Sequence, residues 1–401
     1  MEVDILNIPK LRFKEFTDEW QIKKLDKNTY IKARVGWKNL KASEYVSSGI
    51  PMIAGQHIKQ GKILWDKVDF ITNERYDESP EIQLKNNDII FSKDGSLGNP
   101  AIIKNMPKKA TINGTMMLIR LNYINDNVSP NYFYQICNSQ YFKKMVSLIK
   151  SGGTVPHIFQ RDIINFTFPI PKTLEEQEKI ANFLSIVDKK VENLKNTITS
   201  LENQKKGLLQ QIFSQKLRFK DKNGNNYPNW EKKKLEDIAI FLDNKRKPLE
   251  QSERIHGKYP YYGASGIIDY VNNYIFDEEL ILLSEDGANI IDRNYPICYI
   301  ATGKYWVNNH AHVLKTKSQY LNKFLCEALE RLNYNKYNTG TAQPKLNQDV
   351  CRKIILSIPC LEEQTKIADF LSAFDRKLDN QKAQLEHWQQ IKKGLLQQMF
   401  V

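Results

Sequence analysis

Residues 174–190 read LEEQEKIANFLSIVDKK, and residues 361–377 read LEEQTKIADFLSAFDRK. The match continues without a gap, at a constant offset of 187, into QKKGLLQQIFS at 204–214 and IKKGLLQQMFV at 391–401. About half of the paired positions are identical, which marks an internal duplication. In the first copy Ile180, Leu184, Val187, Val191, Leu194, Ile198, Leu201, Leu208 and Ile212 step by alternating fours and threes. That is the spacing of a coiled-coil seam, interrupted only by Lys205. The second copy keeps the register with Ile367, Leu371, Phe374, Leu378, Leu385, Trp388, Leu395 and Met399, and places Gln381 and Lys392 on the seam as its polar positions. Each helix is roughly 60 Å long at 1.5 Å per residue. A single amphipathic helix of that length has too few neighbours to bury its stripe, so the partner expected for each copy is the other.

Working outward, the composition bounds the class. At about 150 residues per domain, 401 residues suggest two or three domains, and 41% hydrophobic residues suffice for real cores. The longest apolar runs are strand-sized, and the N-terminal MEVDILNIPKLRFK has no basic segment followed by an apolar core. Neither a signal peptide nor a membrane span is expected. Five cysteines without C-x-x-C spacing (Cys137, Cys298, Cys326, Cys351, Cys360) fit reduced thiols and a cytoplasmic location. The net charge of +13 favours a polyanionic partner, although Lys-rich composition alone also arises in AT-rich genomes.

The duplication reaches beyond the helices. LRFKEFTDEWQIKKL from Leu11 reappears, stretched by an insertion, as LRFKDKNGNNYPNWEKKKL from Leu217. Each half has an apolar run ending in Ser-x-Asp-Gly (Ile89 to Gly95, Ile281 to Gly287), read as a strand entering a tight turn. Each has a Gly/Pro entry, Gly49-Ile50-Pro51-Met52-Ile53-Ala54-Gly55 against Tyr259-Pro260-Tyr261-Tyr262-Gly263. Each closes alike: Gly153-Thr154-Val155-Pro156 leads through Gln160 and Asp162 to Pro169-Ile170-Pro171, and Gly340-Thr341-Ala342-Gln343-Pro344 through Gln348 and Asp349 to Ile358-Pro359. Thr173-Leu174-Glu175-Glu176 offers a capping box for the first helix, which Cys360 cannot supply for the second. Strand-like runs (Thr115 to Leu121, Tyr295 to Ala301) alternate with helical stretches (Tyr132 to Lys150, Lys323 to Leu332), an α+β pattern. The expected order is an arm at 1–11, a globule at 12–172, a helix at 173–215, a globule at 216–360 and a helix at 361–401. The second helix pairs with the first only by running back, so an antiparallel, pseudo-twofold dumbbell is expected.

The paired LEEQ-x-KIA-x-FLS and KKGLLQQ-x-F helices, each after a GT...P...Q...IP segment, with the P-x-LRF opening, resemble the specificity (S) subunit of type I restriction-modification enzymes. The resemblance covers nearly all of the chain, strongly in the helices and weakly in the globules. It implies two target recognition domains, each reading one half of a split, asymmetric double-stranded DNA sequence, on helices that set their separation and receive two methyltransferase (M) subunits. A restriction (R) subunit would join through M. The resemblance implies no catalysis and no cofactor here: S-adenosylmethionine belongs to M, ATP and magnesium to the partner subunits.

The residues agree. There is no G-x-x-x-x-G-K-[ST] loop and no Asn-Pro-Pro-aromatic string; Gly95-Ser96-Leu97-Gly98 lacks a lysine, and Asn99-Pro100-Ala101 reads as a turn. Glu231-Lys232-Lys233 with Asp221 is a cheap match to half a nuclease site in so Lys-rich a chain. His310-Ala311-His312 reads as strand alternation rather than a metal pair, and Asp94 and Asp286 as turn residues. Loops rich in Lys, Arg, Gln, Asn and His suit phosphate positioning and base-edge reading. The DNA candidates are Gln56, His57, Lys59, Lys93, His157, Gln160 and Arg161 in the first globule, and by position Ser265, Glu285, Asn289, Lys345 and Gln348 in the second. Phe183, Leu209 and Phe213 lie off the seam and recur as Phe370, Leu396 and Phe400. They are read as a docking surface presented twice to M, against the alternative that they cover the globules.

Overall fold

The computed structural model describes residues 8–25, 29–34, 40–121, 127–151, 156–316 and 319–400. The first seven residues of the arm, and Gly153, Thr154 and Val155 of the first closing segment, lie outside them. The chain forms two units, residues 1–195 with 383–401, and residues 196–382. Both long helices, Leu174–Phe213 and Leu361–Gln398, are therefore shared between the units rather than standing as separate parts.

In the first unit the strand Ile89–Ser92 is buried along its whole length. Ile89 and Phe91 face one core, with Phe133, Phe142 and Ile180, while Ile90 faces a second, with Ile53, Ile112 and Leu118. A strand covered on both faces has no polar side to show, which is why its sequence is continuously apolar. It is an inner strand of an antiparallel sheet ordered Tyr30–Ala33, Met116–Arg120, Ile89–Ser92, Gly98–Ile102. A three-stranded sheet sets Ile50–Ile53 between Asp69–Ile71 and, in parallel, Thr111–Ile112. A further pair joins Gln21–Lys24 to Thr167–Ile170.

The second unit repeats this plan. Leu280–Ser284 is likewise buried throughout, Ile281 and Leu283 facing one core and Leu280 and Leu282 another. Its sheet runs Ala239–Phe241, Ala311–Thr316, Leu280–Ser284, Cys298–Ala301, and Glu231–Lys234 pairs with Ile355–Ile358. The Gly/Pro entry has diverged most. Its strand His256–Gly263 lies between Gly266–Val271 and, in parallel, Lys304–Val307. The stretch expected as one helix from Tyr132 to Lys150 is two, Pro130–Asn138 and Gln140–Ser151, broken at Ser139, whose extended backbone and side chain terminate the first. The later helix spans Gln319–Glu330.

The start of each long helix is fixed by a device that capping rules do not reveal. Thr173 Oγ1 accepts from the Glu176 N–H at 3.3 Å, one half of a capping box. The Glu176 carboxylate, 2% exposed, goes elsewhere: it accepts from Arg12 Nε (2.7 Å) and Nη2 (2.9 Å) and from Trp20 Nε1 (3.1 Å). The second unit repeats it: Glu363, fully buried, accepts from Arg218 Nε and Nη2, both at 2.7 Å, and from Trp230 Nε1 at 3.0 Å. Both arginines are held above their usual pKa, first of all by the hydrogen bond to the glutamate. The second helix thus begins at Leu361 without a Ser/Thr cap, because the LRF arginine, the tryptophan and the LEEQ glutamate already fix its place.

Of the first helix's seam positions, Ile180, Leu184, Val187, Val191, Leu194, Ile198, Leu201 and Ile212 are buried and Leu208 is half-buried; in the second, Ile367, Leu371, Leu378 and Met399 are buried while Phe374, Leu385, Trp388 and Leu395 are half-buried. The lysines that interrupt the seam have partners. In the second unit Lys205 pairs with Asp375 (2.7 Å) and Glu327 (3.1 Å), and Lys323 bridges the same two acids at 2.6 and 3.0 Å. Burial pulls the Lys205 ammonium down, but Glu327 and Asp375 outweigh it and hold it above the usual lysine range. Lys382 meets Glu202 at 2.9 Å, so one helix descends as the other rises, which is antiparallel pairing. In the first unit the duplicate residues pair again, Lys392 with Asp188 at 2.6 Å. A charge placed on an apolar seam only in register with its counterion specifies that register, because any slip strands both.

Candidate nucleic-acid interface

Each unit brings three loops to the end of its central buried strand. In the first, Lys93 and Asp94 donate their backbone N–H groups to the Thr115 carbonyl at 2.9 and 3.3 Å, and the Lys93 carbonyl accepts from the Ile158 N–H at 3.0 Å. Gly95 turns the chain at a positive φ of 67°. The entry loop closes from the other side: a Cβ on Gly55 would stand 2.5 Å from Ser92 Oγ, so any side chain there would push the serine hydroxyl aside. The second unit builds the same corner. The Glu285 N–H donates to the His310 carbonyl at 2.9 Å, its carbonyl accepts from the Leu346 N–H at 2.7 Å, and Ser284 Oγ donates to the Ala264 carbonyl. Gly287 turns at a φ of 105°.

Among the candidates of the first unit, Gln56, Lys59, Gln160 and Arg161 are exposed. Arg161, with its side chain 75% exposed, lies over the Phe159 ring at 4.6 Å, and the His157 ring lies tilted against that same ring at 4.4 Å. Lys93 pairs with Asp94 at 2.8 Å, and His157 Nδ1 is bound to the other oxygen of that carboxylate. His57 is buried, and its Nδ1 accepts from the Ala54 N–H at 3.0 Å. Burial pushes its pKa down against the pull of Asp69, so it is a neutral structural imidazole rather than a reader of bases.

In the second unit Ser265 and Lys345 are exposed, whereas the other candidates are committed internally. Asn289 spends its amide on both backbone groups of Tyr295 (3.0 and 2.8 Å). Gln348 donates to Asp243 at 2.6 Å and accepts from Arg352. Glu285 is held by Arg246 at 2.6 Å and faces Lys345 at 3.5 Å. These belong to a cluster around buried His312, whose Nδ1 meets Asp243 at 2.7 Å and whose Nε2 meets the Leu346 carbonyl at 2.7 Å. Both partners are acceptors, so both ring nitrogens carry protons. Burial works against that charge, yet Asp243 and Cys351 prevail and push the His312 pKa up to about 10.

Asp243, Glu285 and His312 are the group among the described residues whose spacing would admit a metal ion. Their donor atoms do not suit one. The imidazole offers no lone pair, and Arg246 already neutralises the carboxylates. Asp221 binds the backbone of Asn223 and Asn225 instead of joining Glu231, whose strand is exposed. The five cysteines are unpaired, and no helix among the described residues is long and apolar enough to cross a membrane.

The docking reading of the off-seam residues needs correction. Leu209 and Leu396 are buried, Phe400 sits against Tyr132 in the first core, and Phe213 packs on Phe324 and Trp230 in the second. These four hold the globules to the helices. Phe183, at 36% exposure, and Phe370, half-buried against the second core, pack edge-on against Phe13 (5.8 Å) and Phe219 (5.6 Å) of the two LRF motifs. Sequence reasoning missed that the turn aspartates bind histidines. The signal was the recurrence of Ser-x-Asp-Gly, which turn chemistry alone seemed to explain.

The type I restriction modification DNA specificity domain matches twice, over residues 18–203 and 227–387. A putative type I restriction enzyme specificity subunit of Haemophilus influenzae is 39% identical over 141 residues, 35% of this chain and 36% of that relative's length. A type I specificity subunit of Methanocaldococcus jannaschii is 25% identical over 52% of this chain and 49% of its own length. A second, putative one from that organism is 23% identical over 97% of this chain and 95% of its own. The fold matches the crystal structure of a type I restriction-modification S subunit from M. genitalium with a TM-score of 0.66 at 19% identity, covering 98% of this chain and 99% of that one. With both halves matched and the duplicated plan present in each unit, the chain belongs to the type I restriction-modification DNA specificity family.

Proposed function

We propose that this chain is the non-catalytic specificity subunit of a type I restriction-modification complex, in which residues 12–172 and 216–360 each read one half of a bipartite, asymmetric duplex target. The observation that carries this reading is the repeated corner: in each unit three loops, bearing Gln56, Lys59, His157 and Arg161 or Ser265, His310 and Lys345, meet at the end of the central strand. The net charge of +13 supplies the long-range attraction to phosphates. The loops differ between the units while the scaffold is kept, as reading two different half-sites requires. Exchange of residues 12–172 for the equivalent part of another family member tests it by methylome sequencing. One half of the methylated sequence changes and the other stays; a change in both halves, or in neither, defeats the reading.

In this proposal two methyltransferase subunits dock on the duplicated outer face formed by Phe13, Lys179 and Phe183 and by Phe219, Lys366 and Phe370. Restriction subunits join through them. S-adenosylmethionine, ATP and magnesium belong to those partners, and the work is done in the cytoplasm, a setting that the unpaired cysteines suit. Phe183→Ser with Phe370→Ser leaves a folded chain that no longer co-elutes with the methyltransferase subunit. Undiminished co-elution removes this face from the proposal.

A further inference from the structure

The aspartate of each Ser-x-Asp-Gly turn holds an imidazole, but the two imidazoles come from positions that do not correspond. In the first unit Asp94 Oδ1 binds His157 Nδ1. The counterpart of His157 in the second unit is Lys345, because the Leu346 N–H donates to the Glu285 carbonyl as the Ile158 N–H donates to that of Lys93. The histidine there is His310, whose carbonyl receives the Glu285 N–H just as the Thr115 carbonyl receives that of Lys93. Its Nδ1 lies 2.8 and 3.0 Å from the two oxygens of Asp286. Duplication preserves corresponding residues. It does not account for one chemical pair being present twice with the imidazole supplied from different segments, and selection at that spot does.

Neither histidine fills a core, their side chains being 29% and 48% exposed. In both rings Nδ1 is engaged by the carboxylate, which fixes the ring and leaves Nε2 as the outward nitrogen. Among the described residues neither Nε2 has a hydrogen-bond partner. Each pair stands beside exposed cationic or amide side chains: Arg161 and Gln160 near His157, and Lys345 near Asp286, to which its backbone is bridged. With Nδ1 held by the aspartate, each ring has one nitrogen, Nε2, left to meet whatever lies against the corner.

We infer that His157 and His310 are the matched DNA-contacting imidazoles of the two recognition domains, with Asp94 and Asp286 as their positioning residues. The inference rests on the DNA-reading proposal above. The partner is a polar atom of duplex DNA, on a base edge in the major groove or on the backbone.

The test uses the full chain assembled with its methyltransferase subunits. His310→Gln, His157→Gln, Asp286→Asn and the parent are compared by methylome sequencing and by duplex affinity at fixed salt. If His310 reads a base, His310→Gln relaxes only the half-site read by residues 216–360; if it holds a phosphate, affinity falls about fivefold or more on every sequence alike. Either result supports the inference, and His157→Gln is expected to act on the other half. Asp286→Asn, which leaves the exposed ring in place but unanchored, gives a smaller effect of the same kind and guards against a simple folding defect. Parental methylation and affinity in both histidine variants overturn the inference while leaving the specificity-subunit reading intact. A parent complex that methylates no bipartite sequence overturns that reading, and this inference with it.

Discussion

Arg12→Ala is the sharpest test of how the helices are held. Glu176 is buried in the first turn of its helix and takes three hydrogen bonds, two of them from Arg12. Removing one partner of a buried ion pair costs about 3–5 kcal/mol, because the remaining charge is left without compensation. The helix N-terminus returns roughly 1 kcal/mol of that by favouring a negative group in its first turn. The expected loss is thus about 2–4 kcal/mol. Glu176→Gln keeps a side-chain oxygen as acceptor for Trp20 Nε1 and loses the charge, about 1.5–3 kcal/mol for the charge-assisted bonds. The double variant Arg12→Ala/Glu176→Gln leaves no stranded charge, and its loss falls short of the sum of the single losses by about 1–3 kcal/mol. Urea unfolding gives the totals. Hydrogen exchange in Thr167–Ile170 and the first turns of Leu174–Phe213 localises them. A loss below about 1 kcal/mol for Arg12→Ala, or strict additivity in the cycle, refutes the view that this pair fixes the helix start. Arg218→Ala, by the same argument, loosens Ile355–Ile358 and the start of Leu361–Gln398.

Other outcomes follow from the charges. The His312 pKa is raised in the folded state, so its stabilising contribution is complete below the ordinary value near 6.5, declines as pH rises and is gone above about 10. Thermal unfolding of the parent therefore weakens between pH 6.5 and 10, through a cluster that also includes Asp243, Glu285, Arg246, Lys345, Gln348 and Cys351, and His312→Gln is expected to flatten that dependence. Asp375→Ala leaves Lys205 and Lys323 sharing Glu327 alone and lowers the stability of the second unit by about 2–3 kcal/mol, read by chemical denaturation; a neutral result makes the ion pairs decorative. Duplex affinity falls with salt at a log-log slope of about 0.9 per phosphate contacted, and a flat response removes the electrostatic argument.

The helices were legible because their signal is periodic and local. Seam positions declare themselves by spacing, and the duplicate copy repeats most of them, with Gln381 standing where Leu194 does. The buried strands Ile89–Ser92 and Leu280–Ser284 were legible for a related reason, a continuous apolar run before a glycine turn. What sequence reasoning could not supply was long-range pairing. Nothing local joins Arg12 to Glu176 across 164 positions, or Lys205 to Asp375, and a glutamate three residues after a threonine reads as a cap until its partners are seen. The same limit misplaced Leu209, Phe213, Leu396 and Phe400. An apolar residue off one seam is exposed only if nothing else packs there, and each of these has a globule against it.

The duplication separates two kinds of constraint within one chain. Groups that join globule to helix, or helix to helix, recur residue for residue: Arg12 and Arg218, Trp20 and Trp230, Glu176 and Glu363, Asp188 and Asp375, Lys392 and Lys205. Groups at the loop corner do not. Lys93 stands where Glu285 does, His157 where Lys345 does, and a 3-10 turn at Gly55–His57 where the hairpin tip Ala264-Ser265 lies. A protein preserving only its fold would drift fastest in loops, and divergence there would carry no information. Here the corner keeps its backbone hydrogen bonds, its glycine turn and an aspartate-bound histidine while exchanging the sign of the neighbouring side chain. Architecture held fixed with chemistry varied is what two readers of different half-sites need. It also confines the search for base specificity to side chains with a polar group that the corner presents but does not consume, which sets Lys59, Gln160, Arg161 and Ser265, with the Nε2 atoms of His157 and His310, ahead of His57, Asn289 and Gln348.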